Sequence, residues 1–279
     1  MSDTTEILQS GPNRFELEGI RAPETLLNDV VRLMASHRSI RSYRPDPLPE
    51  RVLEVIVTAA QSASTSSNLQ MYSIIAVQDP EKKRLIAEWS KNPFAEQAPV
   101  ILVFCPDLHR LERVCQRQGY DFADRYMEMF IQAVVDTALA GQNAALAAES
   151  LGLGICYLGG IRNQTAQVAE LLRLPKRTFA LFGMTVGYPA NPSRVRHRLP
   201  LDVVLHHEEY SDANLEEGLR RYDTVTAQSG IYAGRRLRFD DAKDPQQYGW
   251  SEHTARRLAR PHPDRINMRE QLENLGWEF

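Results

Sequence analysis

Residues 124–160 read DRYMEMFIQAVVDTALAGQNAALAAESLGLGICYLGG, and this stretch decides the fold class. Apolar residues recur at helical spacing from Asp124 to Leu151, which predicts one long helix. Its middle is rich in small side chains, among them Ala133, Ala138, Ala140, Gly141, Ala144, Ala145, Ala147 and Ala148, so other elements can approach it closely. A helix apolar nearly all round is expected to be buried, at the centre of the domain or at a subunit interface. Gly152 and Gly154 stop it, Ile155–Leu158 reads as a brief strand, and Gly159-Gly160 breaks the chain again.

Working outward, Tyr72–Val77 and Val100–Cys105 are short runs of β-branched and aromatic residues bounded by Pro and Asp. They predict buried strands around a helix over Glu81–Trp89. Earlier still, Leu26, Leu27, Val30, Val31, Leu33 and Met34 predict a helix over Pro23–Ser36, and Pro49 opens a second helix that fades into a polar loop, Gln61–Gln70. Downstream, Gln164–Leu172 reads as a helix and Phe179–Gly187 as the last buried strand. Beyond Pro200 charge is dense and periodicity weak, which suggests an arm that wraps a neighbour.

The chain has 279 residues, 43% hydrophobic and 25% charged, an ordinary globular composition. A net charge of -3 leaves no overall basic field for nucleic acid or an anionic membrane surface, and neither is expected as a partner. Cys105, Cys115 and Cys156 are odd in number and lack a C-x-x-C spacing, which argues against a disulfide scaffold and a zinc site and for a reducing compartment. The start of the chain is polar and mixed in charge, unlike a secretory signal, and the longest apolar runs are too short to cross a bilayer. A cytoplasmic protein without a metal centre is the expectation.

Three polar clusters stand out: His37-Arg38-Ser39-Ile40-Arg41, the loop Ser62–Asn68, and Arg194–Arg198. Each can donate hydrogen bonds to an anion, and planar guanidinium groups match phosphate oxygens in pairs. Taken alone, an arginine cluster also fits a solvated face and a serine run also fits a plain loop.

His37–Tyr43 and the serine loop to Gln70, followed in order by Val135–Ala138, Gln142–Ala144, Ala148–Gly154, Tyr157–Asn163, Leu181–Pro189, Trp250–His253 and Gly276-Trp277, resemble the oxygen-insensitive nitroreductase and flavin reductase family, in its larger NADPH-preferring branch. The resemblance implies an α+β fold with a central mixed, mainly antiparallel sheet flanked by helices and an extended C-terminal arm. It divides the chain into a polar, flexible extension at 1–24, an FMN-binding domain at 25–200, and an arm at 201–279 that wraps the partner of a homodimer and contributes to the nicotinamide site.

The same resemblance implies an enzyme that takes electrons from NADPH or NADH and passes them through FMN to a small-molecule acceptor in an alternating cycle. His37, Arg38 and Ser39 would hold the FMN phosphate or its approach, and Arg41 would reach the pyrimidine edge of the flavin, where the reduced ring carries its charge. Arg196 and Arg198 would close over the phosphate, with His197 where the branch more usually has Pro. Tyr157, Gly159 and Gly160 would lie beside flavin N5, Thr65, Ser66 and Ser67 would serve the FMN of the second subunit, and Asn92 takes the place of a Gln that touches the flavin. Arg235, Arg236 and Arg238 are the candidates for the NADPH 2′-phosphate. No general base, nucleophile or metal is needed, so no side chain is assigned a catalytic role. The alternative is an FMN-binding redox sensor or flavin carrier with little turnover.

Overall fold

The structure is a computed structural model that describes residues 11–191, 193–232 and 248–279. Its helices are α1 (Arg14–Leu17), α2 (Asp29–Ala35), α3 (Val52–Gln61), α4 (Pro80–Trp89), α5 (His109–Gln118), α6 (Met127–Ser150), α7 (Thr165–Leu171), α8 (Leu201–Val204), α9 (Leu215–Gln228), α10 (Trp250–Leu258) and α11 (Met268–Asn274). The strands are β1 (Tyr72–Val77), β2 (Val100–Pro106), β3 (Gly154–Leu158) and β4 (Phe182–Gly187). Two compact units emerge, the first built on Asp29–Arg194 and Asp264–Phe279, the second on Pro12–Asn28 and Val195–Pro263.

In the first unit the strands form one sheet in the order β1-β2-β4-β3, antiparallel at every pairing. Successive side chains of β2 point to opposite faces. Val100, Leu102 and Phe104 pack with Ile56 of α3 and with Ala140, Ala144 and Ala148 of α6. Ile101, Val103 and Cys105 pack on the other face with Ile86 of α4, Ile161 of the 3₁₀ turn Gly159–Gln164 and Val168 of α7. A strand sandwiched between helical layers must be apolar on both faces, which is why Val100–Cys105 has no polar alternation. β1 is an edge strand and is only partly buried, where the sequence predicts a buried one.

The parallel element of the fold is confined to the other edge. Ser39 bridges Ile155 in parallel, and Ile40 N–H donates to Ile155 C=O at 2.8 Å, so the segment after α2 covers the free side of β3. A Cβ on Gly154 would fall 2.5 Å from Ile40 Cγ1, and only the absence of one lets this segment approach. The end of the chain closes the same unit: Arg177 N–H donates to Leu275 C=O at 2.7 Å, and Trp277 packs edge-on against Phe130 and Phe179.

The long helix begins at Met127 and ends at Ser150, within the predicted span. One face carries Ala133, Ala140, Ala144 and Ala148 into the core. The opposite face leaves Met127, Ile131, Val135 and Leu139 exposed at 48%, 48%, 45% and 43%, so the helix is not buried all round within its own chain. The helix predicted over Pro23–Ser36 is split into a 3₁₀ turn at Glu24–Leu26 and α2, because Leu27 leaves helical geometry at φ −96°, ψ 66°. α5 has no counterpart in the expectations: its sequence HRLERVCQRQ sets only Leu111, Val114 and Cys115 among polar residues, and it buries no residue fully.

In the second unit, side chains of α9 cap the start of α10. Asp223 Oδ1 accepts from Ser251 N–H at 2.7 Å and Thr226 Oγ1 accepts from Trp250 N–H at 3.1 Å, with the Tyr222 and Trp250 rings 5.7 Å apart.

Replacing Gly154 by Ala is expected to cost about 1–3 kcal/mol through the clash with Ile40. Chemical denaturation checks this, and the loss should shrink when Ile40→Ala is combined with it, a non-additivity expected of residues in contact.

Candidate active site

The segment His37–Tyr43 is pinned at several points. Beside the Ile40 bond to β3, the buried Tyr43 hydroxyl donates to Ile40 C=O at 2.8 Å and lies 2.6 Å from Thr185 Oγ1. Burial raises the phenol's pKa against the pull of the Thr185 bond, so Tyr43 stays neutral and serves as a strut. The segment so fixed directs its polar side chains differently. Arg38 is buried and donates from Nε to Ser36 C=O at 3.0 Å and from Nη1 to Ser193 C=O at 3.1 Å; burial lowers its pKa and Glu149 opposes that. Ser193 Oγ in turn donates to Ser39 C=O at 3.2 Å. Arg38 thus ties two loops together.

His37 and Arg41 face outward instead. His37 Nδ1 lies 2.6 Å from Oε1 of the buried Glu149, while its Nε2 makes no hydrogen bond among the described residues. A carboxylate on Nδ1 fixes the ring orientation and favours a proton there. The Arg41 guanidinium is exposed, sits 6.0 Å from the centroid of Phe94, and has no acidic partner among the described residues. Burial pushes the neighbouring Cys156 thiol up, against the pull of Arg41 and of Ser39, so this cysteine is a neutral packing group.

At the far end of β3 the Tyr157 hydroxyl donates to Gly141 C=O at 2.8 Å and its ring stands edge-on to Phe182 at 5.3 Å. Gly160 lies against the end of α4: a Cβ there would sit 2.1 Å from Ser90 C=O and 3.0 Å from Asn92 Nδ2. Asn92 Nδ2 donates to that same Ser90 carbonyl at 2.7 Å, so Asn92 and Gly160 are neighbours. Gly159 differs. A Cβ there would meet only Arg162 Nη2 at 3.6 Å, an ordinary contact, so the fold itself does not demand glycine at this position.

The hydroxyl loop is a 3₁₀ turn at Ser66–Asn68 with Ser67, Asn68 and Gln70 in the left-handed region, at φ 49°, 56° and 53°. Such conformations cost free energy in non-glycine residues and persist only where surroundings hold them. Asp136, fully buried on α6, does the holding: Oδ1 accepts from Ser66 N–H at 2.8 Å and Oδ2 from Met71 N–H at 3.2 Å. The hydroxyls of Thr65, Ser66 and Ser67 have no hydrogen-bond partner among the described residues.

Arg196 and Arg198 belong to the second unit, where both side chains are exposed. Arg235, Arg236 and Arg238 lie outside the described residues. Asp136 and Glu149 carry no predicted role, yet each has a signal in the sequence. Asp136 is an acid in an alanine-rich helix that buries few polar groups, and Glu149 stands at a helix C-terminus, where the dipole disfavours a carboxylate.

Helices are layered on an antiparallel sheet, and beside β3 and α6 lie the exposed Arg41 guanidinium and the Thr65–Ser67 hydroxyls, without hydrogen-bond partners among the described residues. Residues 34–188 match the Nitroreductase family and residues 196–279 its C-terminal domain, and the chain belongs to that family. It is 43% identical over 188 residues to the FMN reductase (NADPH) of Bacillus subtilis, covering 66% of this chain and 76% of that one. It is 37% identical to the oxygen-insensitive NADPH nitroreductase of Salmonella typhimurium, over 90% of this chain and 99% of the other. The solved structure of NfrA1 from B. megaterium superposes with a TM-score of 0.81 at 39% identity, covering 89% of this chain and 99% of that one.

Asp136→Ala is expected to leave two backbone N–H groups without an acceptor, at about 1–3 kcal/mol in stability. Hydrogen exchange should show the amides of Ser66 and Met71 losing protection ahead of those in β2.

Proposed function

We propose that the chain is an FMN-dependent oxidoreductase that takes two electrons from NADPH, or from NADH less well, and delivers them to a small acceptor such as a nitroaromatic, a quinone or free flavin. The observation that carries this reading is the set of polar groups left without partners among the described residues: the Arg41 guanidinium, the hydroxyls of Thr65–Ser67 and His37 Nε2. Groups of this kind suit a phosphate and an anionic ring edge. Gly159, glycine without a packing reason, suits a position where a planar ring approaches the backbone.

When bound, FMN supplies the two-electron chemistry, taking a hydride from the reduced nicotinamide and passing electrons to the acceptor. His37, Arg38 and Ser39 would line the approach of its phosphate, Glu149 orienting His37 and Arg38 holding the loops in place. Arg196 and Arg198, which the resemblance assigns to the phosphate, are exposed cations in the second unit. Arg41 balances negative charge at the pyrimidine edge, Gly159, Gly160 and Asn92 present backbone and amide groups beside the reacting edge, and Tyr157 supports them. The protein would supply position and charge, and donor and acceptor would use the same site in turn. The two relatives bear names that differ in acceptor, which agrees with an open site.

The working form is a homodimer. Met127, Ile131, Val135 and Leu139 follow at intervals of four along α6 and make an apolar row that water would otherwise cover. Pairing through this row buries it and lets each Thr65–Ser67 loop serve the partner's FMN. The double substitution Val135→Glu/Leu139→Glu should give monomers by sedimentation that retain little FMN, whereas the unaltered chain should be a yellow dimer with about one FMN per chain. Colourless protein that fails to take up FMN would refute the reading.

Arg235, Arg236 and Arg238 provide the preference for NADPH. Since the two donors differ only in the 2′-phosphate, Arg235→Ala/Arg236→Ala should raise KM for NADPH and leave KM for NADH nearly unchanged, with the difference shrinking in high salt. Equal losses with both donors would remove these arginines from donor selection.

A further inference from the structure

Pro12–Asn28 precedes both matches to the family, which begin at residues 34 and 196, yet it is part of the second unit together with Val195–Pro263. Among the described residues, its hydrogen bonds and ion pair there fall on three consecutive residues, Arg196–Arg198. Arg14 Nη1 donates to Arg196 C=O, and Glu18 Oε1 accepts from Arg198 N–H at 3.1 Å. The same Glu18 oxygen lies 3.3 Å from His197 Nδ1, and the residue between the two arginines is held at its carbonyl by the Tyr222 hydroxyl at 3.0 Å. Arg14 and Glu18 are four residues apart on and just after α1, so they present one face to the loop. Asn13 starts that short helix by accepting from Glu16 N–H at 3.3 Å. Leu17 and Ile20 seat the segment further, lining a groove of about 1160 Å³ with Leu201, Leu205, Val225 and Trp250.

We propose that this segment is a clamp whose Glu18 and Arg14 fix the backbone of Arg196–Arg198 and so position the two arginine side chains for a phosphate. The proposal rests on the reading of Arg196 and Arg198 as phosphate ligands. All the bonds from the clamp go to backbone atoms or to His197, so Glu18 holds the loop without neutralising the Arg198 guanidinium. That guanidinium makes only a 3.5 Å contact to His197 C=O and stays exposed. Arg14 and Arg198 stand close enough for Arg198 to disfavour the proton on Arg14, second to burial, while Glu18 favours it. Two cations and one carboxylate leave a positive charge at the loop, which an anionic ligand would take up. His197 also has a freely rotating φ where a proline would be locked, so its loop needs external bonds to hold one conformation.

The test measures the dissociation constants of FMN and riboflavin for the full-length chain stripped of flavin, in the unaltered protein and in Glu18→Ala, Glu18→Gln, Arg198→Ala and the double Glu18→Ala/Arg198→Ala. Riboflavin lacks the phosphate and so reports on everything else. Arg198→Ala should weaken FMN and spare riboflavin. Glu18→Ala should do the same, by about tenfold, equivalent to about 1.4 kcal/mol. Glu18→Gln, which keeps the shape and an acceptor oxygen, should lose less. The double variant should lose less FMN affinity than the two single losses multiplied together, because the clamp acts in part through that arginine. FMN binding untouched by either Glu18 variant but lowered by Arg198→Ala overturns the clamp. Equal losses of FMN and riboflavin in the Glu18 variants overturn it as well, reducing the segment to general support. If Arg198→Ala binds FMN normally, it is the phosphate reading that fails.

Discussion

The hydrogen bond from Ile40 N–H to Ile155 C=O joins a segment of irregular backbone to the edge of the sheet, and the candidate site is built on that junction. Without it, β3 would expose a free edge and His37–Tyr43 would have no fixed register. The junction requires Gly154, because any side chain there would collide with Ile40. Once it forms, alternation does the rest: Ile40 enters the core and Arg41 faces out. The Tyr43 contact to Thr185 then ties the segment to β4 as well, so two strands of the sheet support one short run of polar residues.

Charge at the site is divided by burial. Arg38 is enclosed and spent on backbone carbonyls, whereas Arg41 and Arg198 are exposed and lack a carboxylate partner among the described residues. The two acids of α6 are used in the same sparing way. Asp136 accepts from two backbone N–H groups and holds a turn that its own residues would not keep, and Glu149 orients a histidine. Neither neutralises an outward-facing arginine. Such an arrangement leaves Arg41 and Arg198 open to a ligand while the buried Arg38, Asp136 and Glu149 are held by hydrogen bonds.

The sheet was readable in the sequence because β2 is apolar on both faces and β3 and β4 are short, mostly apolar runs between glycines, and α6 because its periodicity persists for more than twenty residues. Its exposed row was not, since Val135 and Leu139 look like core residues until the packing shows which face meets the sheet. α5 was missed because only Leu111, Val114 and Cys115 mark its apolar side within a short charged run, and the break at Leu27 because apolar spacing continues straight through it. The polar clusters themselves were legible as residues. Their partners were not: His37 meets Glu149 across 112 positions, Arg38 meets Ser193 across 155, and Ser66 meets Asp136 across 70. Contacts of that separation are set by topology, which local pattern does not encode.

The central claim concerns electron flow from a nicotinamide to a bound flavin, and anaerobic mixing of the flavin-loaded protein with NADPH or NADH measures it directly. The account predicts full bleaching of the flavin absorbance by one equivalent of NADPH per site, slower bleaching by NADH at equal concentration, and return of the colour when a quinone or nitroaromatic is added. Flavin that binds but stays yellow with both donors would contradict the account and leave a flavin carrier in its place.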